Sequence, residues 1–433
     1  MIIRLSAALR PLATGVPLIS PLVQEAYFQT QRIAHRKLIA PYKRRRAANP
    51  HRVEETPLLI GYFETGFGLG EHAKGLASAL EQAGVQFGVY PYNGFSKRPR
   101  AEAPWAAYYD VDNIHAINIL SMAADQTNNA RRIIGEQHFD RSYNVLVSPW
   151  ELPRAPEAWR RNLDAFDELW ALSEFVANAF RPVFSKPIMV VPPCISLDPN
   201  TSPNHRKFGL DGETFYFLFS FDINSRPQRK NPAAVIRAFD LAFGEPRIGN
   251  VGLLLKLSGA EHRHPQEVGA IEMAARRDNR IRILRGDWKR ADMLALLASM
   301  DCYVSLHRSE GFGMGMAEAM ALGKPVIGTA FSGSADFLSA QTGYPIPYAL
   351  RPVRPGEYPY SDGSLWAEPD VQAAAEAMRI VAAQSDEVRR RARAGQEFIR
   401  RHYSPESIGA LLARRLGEIQ RALAVGHAKQ RAS

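Results

Sequence analysis

Two glutamates, Glu310 and Glu318, stand with seven residues between them in the run Ser309-Glu310-Gly311-Phe312-Gly313-Met314-Gly315-Met316-Ala317-Glu318. The first sits in a Gly-rich stretch, the second on the apolar stretch that follows. A carboxylate accepts two O–H bonds at once, so such a pair suits a ligand with paired hydroxyls. Glycine at 311 and 313 lets the main chain approach that ligand closely. A basic pair, Arg229-Lys230, lies far upstream in the turn Asp222-Ile223-Asn224-Ser225-Arg226-Pro227-Gln228-Arg229-Lys230-Asn231-Pro232. Cations at a turn of this kind suit a diphosphate and can stabilise charge that grows on it as it departs. A further Gly-rich turn, Gly66-Phe67-Gly68-Leu69-Gly70, follows an apolar run at 57–63. Taken alone it is a weak signal. It lacks the acidic residue about 20 positions on that a dinucleotide ribose requires.

These clusters need elements to hold them. Residues 301–306 read as a short buried strand, followed by the Glu310 loop, a helix and a second strand at 325–329. That is a βαβ unit with its loop at the carboxyl edge of a parallel sheet, where such sheets bind ligands. The loop feeds a helix N-terminus, whose free N–H groups attract phosphate. The basic turn likewise follows a continuous apolar strand at 215–221 and precedes a helix with Val235, Ile236, Ala238 and Phe239. The first Gly-rich turn precedes a helix with Ala73, Leu76, Ala77 and Leu80 at helical spacing, ending near Gly84, then a strand at 85–90. Further strands are expected at 114–120, 143–148, 188–193, 252–257 and 281–284, with helices from Asp287, over 371–381 and from Ser404-Pro405. The Pro/Asn/Ser-rich segment 197–210 reads as a linker. Segment 94–142 carries no signal beyond its strand. The pattern predicts two doubly wound parallel-sheet domains.

The Glu310 segment resembles the signature of retaining nucleotide-sugar glycosyltransferases of the GT-B fold, a large family that includes sucrose synthases and bacterial mannosyltransferases. The family shows Glu, seven residues, Glu, with Gly-Phe-Gly after the first and Ala-Met-Ala-x-Gly-x-Pro-Val after the second. Ala319-Met320-Ala321-Leu322-Gly323-Lys324-Pro325-Val326 fits the latter. A looser likeness runs from about residue 57 to about 420. The resemblance implies an α/β GT-B architecture, two Rossmann-like domains facing a cleft. Residues 54–200 would bind the acceptor, 201–400 the nucleotide sugar, and 401–433 would form a helix crossing back to the first domain. The implied reaction moves a hexose of mannose or glucose type from a nucleotide diphosphate sugar to a glycan or lipid-linked acceptor, with retention, in polysaccharide biosynthesis.

The resemblance also implies roles. Glu310 would sit beside the donor sugar, Lys230 and Arg229 on the diphosphate, and Glu318 on the ribose. Backbone N–H groups of Phe312, Gly313 and Met314 would contact sugar or phosphate. Gly66, Gly68 and Gly70 would face the cleft. Ser225 stands where the family commonly has an arginine, and Trp150-Glu151 where it often has a histidine aimed at the sugar. Glu151 is the candidate for that polar role, and Trp150 reads as core. The turn Ser332-Gly333-Ser334-Ala335-Asp336 would lie near the phosphates and Asp287-Trp288 near the base. No metal is required if two cations and backbone N–H groups carry the charge, and no Asp-x-Asp motif stands in a suitable loop. Rival readings on the same residues are an epimerase, a phosphorylase and a non-catalytic sugar-nucleotide-binding protein.

Composition narrows the field further. A chain of 433 residues suits two cores. The net charge is +10, but residues 1–53 hold ten Lys/Arg against Glu25 alone, which leaves the main body near neutral. Nucleic acid is a poor partner for such a body. The extension carries Lys43-Arg44-Arg45-Arg46 and an expected amphipathic helix over 23–39 with Val23, Tyr27, Ile33 and Leu38 as its apolar positions. It fits either a solvated basic tail or contact with an anionic membrane. No run reaches the ~18 apolar residues of a spanning helix, and Arg10-Pro11 interrupts any secretory signal. Cys194 and Cys302 lie in apolar surroundings and read as buried free thiols. A cytoplasmic protein is the expectation, with a peripheral place on the inner face of the membrane as the alternative that the second reading of the extension would give.

Overall fold

The computed structural model describes residues 21–40, 53–66, 68–92, 103–244 and 250–432. The first domain is a six-stranded parallel sheet. Its strands are β1 (Val53–Gly61), β2 (Gly88–Pro91), β3 (Ile114–Ser121), β4 (Tyr143–Ser148), β5 (Glu168–Ala171) and β6 (Ile188–Val190), in the order β2-β1-β3-β4-β5-β6. The second domain repeats the plan with β7 (Phe215–Asp222), β8 (Val251–Ser258), β9 (Ile281–Arg285), β10 (Cys302–Ser305), β11 (Val326–Thr329) and β12 (Tyr344–Ile346), ordered β12-β11-β10-β7-β8-β9. In each sheet the order reverses beside the first strand, between β1 and β3 and between β7 and β10. Loops leaving those strands part in opposite directions and open a crevice at the carboxyl edge.

The sequence accounts for the layers. Leu58, Leu59 and Ile60 of β1 and Leu253, Leu254 and Leu255 of β8 are buried on both sides of the pleat, as parallel strands covered by helices must be. Ala73, Leu76, Ala77 and Leu80 form the inner stripe of the helix Gly68–Gln82. The doubly wound architecture expected from the sequence is therefore the one observed. Boundaries moved: β2 starts at Gly88 rather than Val85, and the helix expected from Asp287 starts at Arg290. Segment 94–142 contains a helix, Thr127–Ile134. Both cysteines are free and buried.

An antiparallel hairpin, β13 (Tyr348–Pro352) and β14 (Leu365–Pro369), was not expected. The helix Pro405–Ala432 lies along the helix Gly68–Gln82 so closely that a Cβ on Gly409 would stand 2.3 Å from the Ala79 carbonyl oxygen. On the same helix Arg415 reaches the fully buried Glu168 at 2.7 Å.

The N-terminal helix Pro21–Ile39 exists, but with a different inner face. Gln31, His35 and Ile39, spaced four apart, are buried. His35 Nε2 lies 2.9 Å from the Tyr90 hydroxyl, and Arg32 donates to the Arg132 carbonyl at 2.8 Å. Ile33, expected inside, is 45% exposed. The reason is that the partner surface is aromatic and polar, so a histidine stacks there better than an isoleucine. The expected positions Val23, Tyr27 and Leu38, and the basic run 43–46, lie outside the described side chains.

Candidate active site

Between the two sheets lies a cavity of about 640 Å³. The βαβ unit around Glu310 shapes its floor. Gly313 adopts φ +103° as the residue before the helix Met314–Ala321, a conformation that favours glycine. Gly311 faces the first domain, where a Cβ would stand 3.0 Å from the Trp150 carbonyl oxygen. The loop is clamped from both sides. The Ser173 hydroxyl donates to the Gly311 carbonyl at 2.7 Å, and the Ser309 hydroxyl to the Glu151 carbonyl at 2.5 Å.

Glu310 is the hub. Lys230 Nζ lies 2.5 Å from one of its oxygens and Arg229 Nη1 3.0 Å from the other. Arg229 is 4% exposed and also donates to the Ser309 carbonyl at 2.8 Å. Its other guanidinium nitrogen is 3.9 Å from Glu151, whose carboxylate accepts from the Tyr358 hydroxyl at 2.5 Å. Burial opposes ionisation of Glu310, but the Arg229 guanidinium and the Lys230 ammonium outweigh it and hold its carboxyl well below the usual range. Burial lowers Lys230, with Glu310 opposing. The basic turn is held in shape by Arg226 (φ 66°) and Asn231 (φ 58°), which flank it in the left-handed region. An arginine is uncommon there, and strain of this kind collects at functional sites.

Glu318 lies further along the same helix. Arg290 Nη1 is 2.6 Å from it, and Arg290 Nε is 3.6 Å from Glu71 of the first domain. One arginine thus bridges carboxylates across the cleft. Burial lifts the Glu318 carboxyl above its usual range, and Arg290 opposes that. Lys256, inside the apolar β8, is 1% exposed and donates to the Gly286 carbonyl at 2.5 Å, with its ammonium 4.7 Å from the centre of the Trp288 ring. Burial brings it down to about 8.

A stability prediction follows from Lys256. The folded protein holds fewer protons than the unfolded chain between pH 8 and the ordinary lysine value of 10.5, so stability should rise with pH in that window. The gain is about 3 kcal/mol at most, at roughly 1.4 kcal/mol per pKa unit. Urea unfolding at pH 7.5 and 10 should show this gain in the wild type and lose it in Lys256→Met. Equal pH slopes in both would refute the assignment.

The expected site residues Glu310, Lys230, Arg229, Glu151, Glu318, Phe312, Gly313, Met314, Gly66, Gly68 and Ser225 all line the cavity. Gly70 does not. A Cβ there would stand 2.5 Å from the Thr65 carbonyl oxygen, so this glycine lets the helix start fold onto its own turn. Trp150 is core, 5% exposed and edge-on to Trp159. The turn Ser332–Asp336 lies behind the loop rather than on the cavity wall. The Ser332 oxygen accepts from the Glu310 N–H at 2.8 Å, and Asp336 accepts from the Glu174 N–H of the first domain at 2.9 Å. Among the described residues no group of three or more His, Cys, Asp and Glu could hold a metal ion.

Sequence reasoning missed Arg290, Glu71, His72, Asp125, Tyr358 and Tyr360, all on the cavity wall. Two of them had a signal. A cation at a helix start, as at Arg290, opposes the helix dipole. A histidine one turn before Leu76 falls on the buried stripe of its helix. The tyrosines had none, because the segment between β13 and β14 carries them across from the second domain.

Two facing Rossmann-like domains with a cleft between their carboxyl edges define a GT-B fold. Residues 201–398 match the model of the family glycosyl transferases group 1. Among solved structures, sucrose-phosphate synthase from Thermosynechococcus elongatus aligns with TM-score 0.62 and 15% identity over 85% of this chain and all of that one. HepE from Anabaena, in complex with UDP and glucose, aligns with TM-score 0.59 and 15% identity over 84% of this chain and 100% of that one. The α,α-trehalose 6-phosphate synthase from Burkholderia multivorans aligns with TM-score 0.60 and 11% identity over 87% and 99%. No curated protein matches the chain in sequence.

Proposed function

We propose that the protein transfers a hexose from a nucleotide diphosphate sugar to a hydroxylated glycan or lipid-linked acceptor, with retention of configuration. The observation that carries this is the convergence of Lys230, Arg229 and Glu310, with ion pairs of 2.5 and 3.0 Å, on a cavity wall shared with Glu318 and the loop 311–313. In the reaction the bond from the anomeric carbon to the phosphate oxygen breaks, and the bond to the acceptor oxygen forms on the same face. The acceptor proton passes to the departing phosphate. Positive charge grows on the sugar and negative charge on the diphosphate.

Lys230 and the N–H groups at the start of the helix Met314–Ala321 stabilise the diphosphate. Arg229, paired with Glu310 and bonded to the Ser309 carbonyl, positions Glu310, and the ionised Glu310 lies beside the developing cation. Glu318 takes the ribose hydroxyls, exchanging part of its bond to Arg290. Acceptor recognition falls to the first-domain side, where Asp125, Glu151 and Trp159 meet Tyr358 and Tyr360. Carboxylates and ring faces together suit a sugar. The charge on the leaving group is met by Lys230 and backbone N–H groups, without a divalent ion.

The test is release of nucleoside diphosphate from UDP-glucose, ADP-glucose and GDP-mannose. Slow release in water, acceleration by a glycan acceptor, an α-linked first product from an α-donor by NMR, and indifference to EDTA are expected. Release from none of them would overturn the reading; a β-linked product would overturn retention. We further propose that the basic run Lys43-Arg44-Arg45-Arg46 rests the enzyme on an anionic membrane face. Cosedimentation with phosphatidylserine vesicles should fall sharply when these four become serine; unchanged binding would discard the idea.

A further inference from the structure

His72 stands near the start of the helix Gly68–Gln82 and lines the cavity, yet it is only 5% exposed. Its Nδ1 is fixed 2.9 Å from the Ser121 hydroxyl at the carboxyl end of β3. Its Nε2 is buried with no hydrogen-bond partner among the described residues. Buried ring nitrogens seldom stay unmet, because each one costs folded-state stability. His138 Nδ1 is likewise unmet, but of the two histidines only His72 lines the cavity. The neighbouring Glu71 faces Arg290, which holds Glu318, so this stretch of helix looks onto the donor half of the cleft.

The chemistry of the ligand follows from the ring. Burial brings His72 down to about 4, so it is neutral at neutral pH. One nitrogen then donates and the other accepts, and the Ser121 hydroxyl can take either role. Nε2 therefore offers one uncharged hydrogen bond. A phosphate would call for a cation, whereas a hydroxyl fits either tautomer.

We propose that His72 Nε2 hydrogen-bonds a hydroxyl of the sugar being transferred and holds that sugar against the loop 311–313. It is a positioning and specificity-determining residue supplied by the first domain. This rests on the reading of the cleft as a nucleotide-sugar site.

The test titrates UDP and UDP-glucose into three proteins by calorimetry: wild type, His72→Gln, and the double variant His72→Phe with Ser121→Ala. The double variant should bind UDP within twofold of wild type and UDP-glucose at least tenfold more weakly. His72→Gln, which carries an amide to the reach of Nε2, should recover most of that loss. Without ligand, the double variant should melt no lower than wild type, because both partners of the Ser121 bond are removed together. Equal weakening for UDP and UDP-glucose, or none, would overturn the proposal. A melting temperature lowered by more than a few degrees would make His72 a structural brace and overturn it too. Wild-type protein that binds neither nucleotide would instead count against the proposed function, and the melting comparison would still decide the role of His72.

Discussion

Lys230→Ala should lower donor turnover by about a hundred- to a thousand-fold, the range seen when one preorganised group that stabilises a developing negative charge is lost. The fold should survive. Glu310 keeps the Arg229 guanidinium at 3.0 Å, so no buried charge is stranded. Melting temperature and circular dichroism should stay near wild type, and UDP affinity should fall less than turnover. That split separates a group acting on the departing phosphate from one that merely binds the nucleotide. Lys230→Arg keeps the charge but spreads it over a planar fork, and should recover only part of the rate. Unchanged turnover in Lys230→Ala would remove the phosphate role altogether.

Arg229→Met should act on the fold as much as on the chemistry. Arg229 is 4% exposed and answers Glu310, Glu151 and the Ser309 carbonyl. Its removal leaves two carboxylates in a desolvated pocket with Lys230 and Tyr358 as their remaining partners. Breaking a buried pair by deleting one member costs about 3–5 kcal/mol. The effect has a pH signature. In the wild type the Glu310 carboxyl lies below its ordinary 4.5. That pairing stabilises the fold above pH 4.5 and is lost as pH falls through the lowered value. The variant has less to lose, so the gap between the two proteins should narrow on acidification. Urea unfolding at pH 7 and at pH 3 reads this directly. Equal stability at pH 7 would show that Arg229 is not the brace the geometry makes it.

Much of the cavity wall supplied by the second domain was legible in the sequence, for a local reason. Glu310, Glu318 and the loop glycines sit on one βαβ unit, and Arg229 and Lys230 on another. Each unit has a strand, a loop and a helix in sequence order, so periodicity and Gly placement locate the ligand-facing edge. Arg290 shows where that reasoning stops. Its partners Glu318 and Glu71 belong to different domains, and nothing local links them. Tyr358 is a stronger case. It meets Glu151 only because the hairpin β13–β14 reaches across the cleft, and the first strand of that hairpin is short and mostly exposed on both faces.

The sequence by itself determined the repeated strand–loop–helix units, their doubly wound class, and the residue types at each loop. Local sterics and the pattern of apolar burial set these, and both are written in neighbouring residues. Only the tertiary structure decided which loops face each other. It placed Arg229 between Glu310 and Glu151, turned Gly70 away from the cavity, and replaced Ile33 by His35 on the docked face of the N-terminal helix. Those outcomes depend on contacts between segments far apart in the chain, where burial and charge are set by the partner surface and not by the residue's own neighbours.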